Sequence, residues 1–214
     1  ICKKYDVLYI SDEVVTGFGR MGHFFSSKEV FEIVPDIITC AKGITSGYMP
    51  LGAVLFSDKL LNDIKKESAL FFHGYTYSGH PACCAAALKN IEIIKRDKIL
   101  EHVQEIEPYF HNKLQKLYEL PIVGDVRGKG LMAGIECVIN KDSKEALILD
   151  KAIGSRIDEE SIKLGLIIRP LYHICVLSPA LIITKSQIDD LVEKLFTAIQ
   201  NSLQQLKTEG LWKD

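Results

Sequence analysis

No apolar run in the 214-residue chain approaches the roughly 20 residues needed to cross a bilayer as a helix, so no helical membrane span is expected. Basic residues are not in surplus: the net charge is −2, which leaves no electrostatic footprint for nucleic acid. Cys-x-x-Cys spacing is missing among the six cysteines, and neither His73 nor His80 has a metal-ligand partner at helical spacing. Zinc and a disulfide framework are therefore not expected. The cysteines sit mostly in apolar stretches and read as reduced core residues of an intracellular protein, cytoplasmic or organellar. Internal repeats and low-complexity tracts are absent. So are an initiator Met, a signal peptide and a transit-peptide pattern; Ile1–Tyr5 reads as the end of a helix just before a strand.

What is present centres on Asp36–Val54. The apolar run Ile37-Ile38-Thr39-Cys40-Ala41 reads as a buried strand, ends in Lys42, and is followed by a flexible turn with Gly43 and Gly47. Desolvation at such a strand end would lower the ammonium pKa and make the amine nucleophilic, as a Schiff-base lysine requires. The alternative is a surface lysine closing a strand. A second apolar strand, Tyr5–Val14, ends in the carboxylates Asp12 and Glu13, thirty residues before Lys42. The connection is long enough for a crossover helix, placed at Ser26–Val34, as parallel strands require. Parallel pairing would bring Asp12 and Lys42 to the carboxyl edge of one sheet, where open α/β sheets bind ligands. An amine and a carboxylate facing one crevice suit pyridoxal 5'-phosphate: the lysine anchors it and the aspartate keeps its ring nitrogen protonated. Val14 points to the same side of the strand as Asp12 and can lie against the ring face. Glu13 points the other way and reads as a solvated or second-shell acid.

Further elements follow in order. Gly17–Gly22 reads as a tight turn rather than a phosphate loop, because no helix opens after it. A strand is expected over Gly52–Phe56, then a helix capped by Ser57 or Asp58 through about Glu67. The stretch His73–Pro81 is dense in hydroxyls and glycine; it is either an ordinary loop or an anion-binding loop in which Thr76 holds phosphate oxygens. Helices are expected over Ala82–Lys95, with Leu88, Ile91 and Ile94 facing in, and over Ile99–Tyr118. Strands at Ile122–Val126 and Leu131–Val138 would flank a turn at Arg127–Gly130. A polar loop at Asn140–Lys144 then leads to a helix that runs to Leu164 and is ended by Gly165. Strands at Leu166–Pro170 and Cys175–Leu181 precede a last helix over Lys185–Lys207, capped by Thr184 or Ser186. Arg169, alone in an apolar strand, needs a partner: a structural salt bridge or a ligand carboxylate.

Three separated motifs, Asp12-Glu13-Val14-Val15-Thr16-Gly17-Phe18-Gly19-Arg20, Ala41-Lys42-Gly43 and Pro50-Leu51-Gly52-Ala53-Val54, resemble those of the class III, fold-type I aminotransferases. The likeness runs over nearly the whole chain and is nearest to omega-amino acid:pyruvate aminotransferases, in part because Val15 stands where several other groups have Gln. His73–Pro81 and Gly124–Gly130 also match. The resemblance implies an α/β fold: part of a pyridoxal-phosphate-binding large domain over residues 1–96, then a small α+β domain over 97–214. It implies Lys42 as covalent anchor and acid–base, Asp12 on the ring nitrogen and Val14 on the ring. Thr76 would bind the cofactor phosphate of the neighbouring subunit in a homodimer with shared sites, and Arg169 the substrate α-carboxylate.

The implied reaction moves an amino group from an amine or omega-amino acid to a keto acid, with pyruvate expected. Alternatives are another class III reaction, such as racemisation or decarboxylation, or an inactive half-chain needing a partner. Set against the family, the chain is expected to be the C-terminal half, with a missing half or companion chain carrying most of the phosphate loop and part of the substrate pocket.

Overall fold

The computed structural model describes residues 1–66, 72–142, 145–146 and 153–212. The chain divides into two compact units, 1–103 and 104–214, with the division falling inside a helix.

The first unit is built on a three-stranded sheet in the order β1 (Ile10–Asp12), β2 (Ile37–Cys40), β3 (Ala53–Phe56). β1 and β2 are parallel, with Ile10 opposite Ile37 and Asp12 opposite Thr39; β3 runs antiparallel to β2. The expected crossover helix is only one turn long, α1 (Ser26–Glu29). Glu32 adopts a left-handed backbone (φ 55°), and Pro35 disfavours helix at Val34, so the chain leaves the helical path well before the strand. After β3, the Ser57 hydroxyl accepts a hydrogen bond from Leu60 N (3.3 Å) and starts α2 (Asp58–Lys66); the expected end at Glu67 lies outside the described residues.

The helix α3 (Pro81–Arg96) opens with proline in its first turn, where no backbone N–H is needed. Its inward face is Cys83, Ala87 and Ile94, all buried, with Ile91 partly so. Leu88, expected to face in, is 70% exposed. The buried cluster of this unit joins Ala87 and Ile94 to Phe18, Cys40 and Ile44, so it lies on either side of Lys42 in sequence.

Helix α4 (Ile99–Leu114) is followed by a 3-10 turn, Gln115–Glu119, where one continuous helix to Tyr118 was expected. The second unit then forms an antiparallel sheet from β4 (Val123–Lys129), β5 (Met132–Asn140), β7 (Arg169–Leu171) and β8 (Ile174–Leu177), in the order β4-β5-β8-β7. The first hairpin turns at Gly130 and Leu131, three residues later than the sequence suggests. Arg127 and Gly128 stay in the ladder, opposite Gly134 and Ala133, and Gly130 supplies the left-handed backbone (φ 58°). Burial alternates along β5 and β8, so one face of the sheet is buried.

β6 (Glu145–Ala146) pairs with β5, where the start of a helix was expected. That helix is α5 (Ile153–Lys163), ended by Gly165 at φ 77°. Gly154 lets it approach the β7–β8 hairpin: a Cβ there would lie 2.5 Å from the Tyr172 carbonyl, which already accepts the Gly154 N–H. The strand expected at Leu166–Pro170 is short and shifted to Arg169–Leu171, and β8 stops at Leu177, two residues before Pro179. The last helix, α6 (Lys185–Thr208), carries a full capping box: Thr184 Oγ1 accepts from Gln187 N, and the Gln187 side chain accepts from Thr184 N.

All six cysteines are free and four are buried. Burial pushes the Cys175 thiol up to about 12 and the Cys137 thiol well above its ordinary value, so both are inert. No helix among the described residues is long and apolar enough to cross a membrane.

Candidate active site

Two short strands fix the positions of the two residues on which the sequence reading turns. Asp12 is the last residue of β1 and stands opposite Thr39. Lys42 follows three residues after Thr39, at the first position of a 3-10 turn, Lys42–Ile44. Because β1 and β2 are parallel, the pairing for which the thirty-residue spacing left room, Asp12 and Lys42 emerge at the same carboxyl edge.

The Asp12 carboxylate is exposed but oriented. Its Oδ1 accepts from Val14 N (3.0 Å) and from the Thr39 hydroxyl (3.3 Å). Oδ2 has no hydrogen-bond partner among the described residues. Val14 is half-buried beside it. Lys42 is exposed as well, so the burial invoked to activate it is not supplied by the described residues. Its amine has neither hydrogen bond nor ion pair among them. Its backbone is left-handed (φ 42°), a conformation that costs a non-glycine residue on the order of 1 kcal/mol and that collects at functional sites.

Two features hold that turn. On one side, Gly43 packs on the Gly17–Phe18 turn: a Cβ at Gly43 would lie 2.9 Å from Phe18 Cβ and 3.1 Å from the Gly17 carbonyl. The tight-turn reading of Gly17–Gly22 holds, since Gly17 itself sits where a Cβ would be 2.8 Å from the Glu13 carbonyl. On the other side, the Asn90 amide of α3 donates to the Gly43 and Ile44 carbonyls at 2.8 and 3.2 Å.

Of the two readings of Glu13, solvated or supporting the site from behind, the structure keeps the second. The residue is 1% exposed and gathers four donors: Ser26 N (2.7 Å), Ser26 Oγ (2.8 Å), Ser27 N (2.7 Å) and Thr16 Oγ1 (3.1 Å). Burial alone would raise its pKa, but the Ser26 and Ser27 N–H groups and the Ser26 hydroxyl outweigh that and hold it below the usual carboxylate value. It therefore closes the loop between β1 and α1, and with it the turn on which Gly43 rests. The Asp-Glu pair was visible in the sequence; the two serines that claim Glu13 lie thirteen and fourteen residues away, beyond any local spacing rule.

Thr76 lies in an exposed turn, Thr76–Gly79, just before α3. The turn is tied by Tyr75 N to Ser78 Oγ (3.0 Å) and Ser78 N to the Tyr75 carbonyl (3.0 Å). Arg169 opens β7 in the second unit, opposite Val176. It is exposed and its side chain has no hydrogen bond or ion pair among the described residues, so the salt bridge that would have made it structural is not found there. Within the first unit the fold brings Asp12, Val14 and Lys42 to one edge.

A free carboxylate oxygen and a free amine at one sheet edge fit a ligand with a basic ring nitrogen and a carbonyl carbon. Residues 1–199 match the family Aminotransferase class-III. Among curated relatives, the chain is 42% identical over 193 residues to a putrescine–pyruvate aminotransferase of Pseudomonas aeruginosa, covering 90% of this chain and 42% of that protein. It is 41% identical over 207 residues to an adenosylmethionine-8-amino-7-oxononanoate aminotransferase of Methanocaldococcus jannaschii, covering 94% and 45%. Among solved structures, an (S)-enantioselective omega-transaminase from Thermomicrobium roseum superposes with a TM-score of 0.88 at 40% identity, over 94% of this chain and 45% of that one. The PMP-bound form of an aminotransferase from Vibrio fluvialis gives 0.87 at 36% identity, over 95% and 45%. The chain spans under half the length of the curated relatives it matches.

Proposed function

Since the chain belongs to the class III aminotransferases, a pyridoxal-phosphate-dependent family, we propose that the protein containing it transfers an amino group from an amine or omega-amino acid to pyruvate. The observation that carries this reading is the parallel pairing that puts Asp12 and Lys42 at one carboxyl edge. Pyridoxal phosphate, when bound, supplies a protonated ring that withdraws electrons from the substrate carbon.

The chain's own residues do the rest. Asp12 keeps the proton on the ring nitrogen, its carboxylate steadied by Val14 N and Thr39 Oγ1. Val14 packs against the ring. Lys42 Nζ would hold the cofactor covalently and, as a free amine, would serve as the acid–base that carries a proton from the substrate carbon. The Thr76 hydroxyl holds the phosphate in a neighbouring subunit, a reading supported by its exposed position in a tied turn and by the family resemblance of its loop. Arg169, with no partner among the described residues, forks onto the α-carboxylate of pyruvate or alanine. Six free cysteines suit a reducing, intracellular compartment.

Supplying the full-length protein with putrescine or another omega-amine, and with pyruvate, tests this. Alanine should form in step with loss of the donor. Release of carbon dioxide from an amino acid, or racemisation of alanine without amine consumption, would replace transfer with another reaction.

A further inference from the structure

Position 90 lies on the inward stripe of α3, four residues before Ile94 and three after Ala87, both buried. Asn90 is half-buried there, and the part of its amide taken out of water is costly unless it is satisfied. Asn90 satisfies it in one place. Its Nδ2 donates to the Gly43 carbonyl (2.8 Å) and the Ile44 carbonyl (3.2 Å), and its Oδ1 accepts from Ser46 Oγ (2.8 Å). Two carbonyl acceptors and one hydroxyl donor fix which way the amide faces. All three partners fall within the four residues after Lys42.

Beyond Gly43 the turn is also anchored by the buried Ile44 and Thr45 and by the Thr45 hydroxyl, which donates to the Met49 carbonyl (2.6 Å). The turn's own backbone bonds are long: Ile44 N to Ala41 O is 3.1 Å, and Thr45 N to Lys42 O and Ser46 N to Gly43 O are both 3.3 Å. Lys42 nevertheless keeps a left-handed backbone (φ 42°). Strained conformations persist where the surroundings over-determine them. Here the surroundings are Phe18 against Gly43 on one side and the Asn90 amide on the other.

We propose that Asn90 is a positioning residue for Lys42: by bonding the carbonyls that follow the lysine, it sets where the lysine amine stands as anchor and proton carrier. This rests on the function proposed above. Asn90 does not contact the reacting atoms; it acts through the backbone of the turn. Substitution should therefore change the lysine's chemistry while leaving recognition of the keto acid alone, which a purely structural helix contact would not do.

The test uses the full-length protein loaded with pyridoxal phosphate. Asn90→Asp keeps the shape but replaces two donors with a carboxylate facing two carbonyl oxygens. It should lower kcat by roughly 10- to 100-fold, the scale expected when a reacting group is displaced by about 1 Å, with KM for pyruvate unchanged within about threefold. The pH midpoint of the cofactor absorbance band should shift by about half a unit or more, and borohydride should fix cofactor to Lys42 more slowly. Lys89→Ala, next along the helix but paired outward with Glu92, should change none of these. Should Asn90→Asp not fold, Asn90→Ser, a smaller side chain with one donor, decides by the same readouts. Wild-type absorbance titration and kcat in the folded variant would overturn the role of Asn90 while leaving the proposed function standing. Cofactor fixed to a different lysine in the wild type would overturn the proposed function, and the role of Asn90 with it.

Discussion

The two units close their cores differently. In the second, Ile135, Ile153, Ile157, Ile188, Leu195, Ile199 and Leu206 are fully buried. In the first, Ile10 is 57% exposed, Val54 55% and Phe56 39%, and none of the largest fully buried side chains of the described residues belongs to it. β1 is an edge strand there, and Tyr5, Val7 and Leu8 before it are exposed too. An uncovered edge and apolar sheet surface invite association. The closed unit carries Arg169, and the open one carries Asp12, Lys42 and Thr76. The residues proposed as anchor and ring partner, Lys42 and Asp12, thus sit at the sheet with the least cover of its own, beside the Glu13 and Asn90 hydrogen bonds.

The sharpest way to separate the units is functional. In the full-length protein, Asp12→Asn keeps the shape but loses the charge that holds the ring proton. Turnover should fall on the order of 100- to 1,000-fold for both half-reactions, far more than cofactor affinity. Unchanged turnover would remove Asp12 from the site.

Stability sharpens the contrast next. In the 214-residue chain, Leu195→Ala should cost about 2–5 kcal/mol by urea unfolding, as a cavity in a closed core does. Ile10→Ala should cost under about 1 kcal/mol, because more than half of that side chain is already in water. Equal losses would mean the sheet of the first unit is as well packed as the second.

Arg169→Ala follows. Loss of a forked, charge-assisted pair should raise KM for pyruvate roughly 30- to 100-fold. A donor without a carboxylate should change by less than about twofold. Equal losses for both substrates would return Arg169 to a structural role.

The smallest effect concerns Glu13. Its folded pKa is depressed below the ordinary 4.5, so its stabilisation is fully present above that value and is lost as the pH falls through the lower folded one. Glu13→Gln should therefore destabilise the protein by about 1.5–3 kcal/mol at pH 7, and by progressively less below pH 4.5. A difference that stays constant down to acid would mean that Glu13 is not bound as a carboxylate.

Local rules carried the reading a long way. Apolar runs before Asp12 and Lys42 were visible, and their spacing left room for the parallel pairing found, although the first strand keeps only Ile10–Asp12 of the expected Tyr5–Val14. Gly165 and the cap at Thr184 or Ser186 marked helix ends that the structure keeps, with Thr184 as the cap. What stayed hidden depended on partners far along the chain. Glu13 was left between a solvated and a supporting acid because Ser26 and Ser27 reach it only once the loop closes. Asn90 broke the apolar stripe of α3, and that break was the available signal; Leu88 was placed in the stripe instead, one face away. Lys42 was expected to be desolvated by its own strand, yet the described residues leave it exposed.

Lys42 is also where the whole reading meets one measurement. The full-length protein, incubated with pyridoxal phosphate, reduced with borohydride and digested, should yield the cofactor mass on the peptide containing Lys42 and on no other. Lys42→Ala should yield none. Cofactor mass on another lysine, or retained in Lys42→Ala, would contradict the assignment of the carboxyl edge of β1 and β2 as the active site.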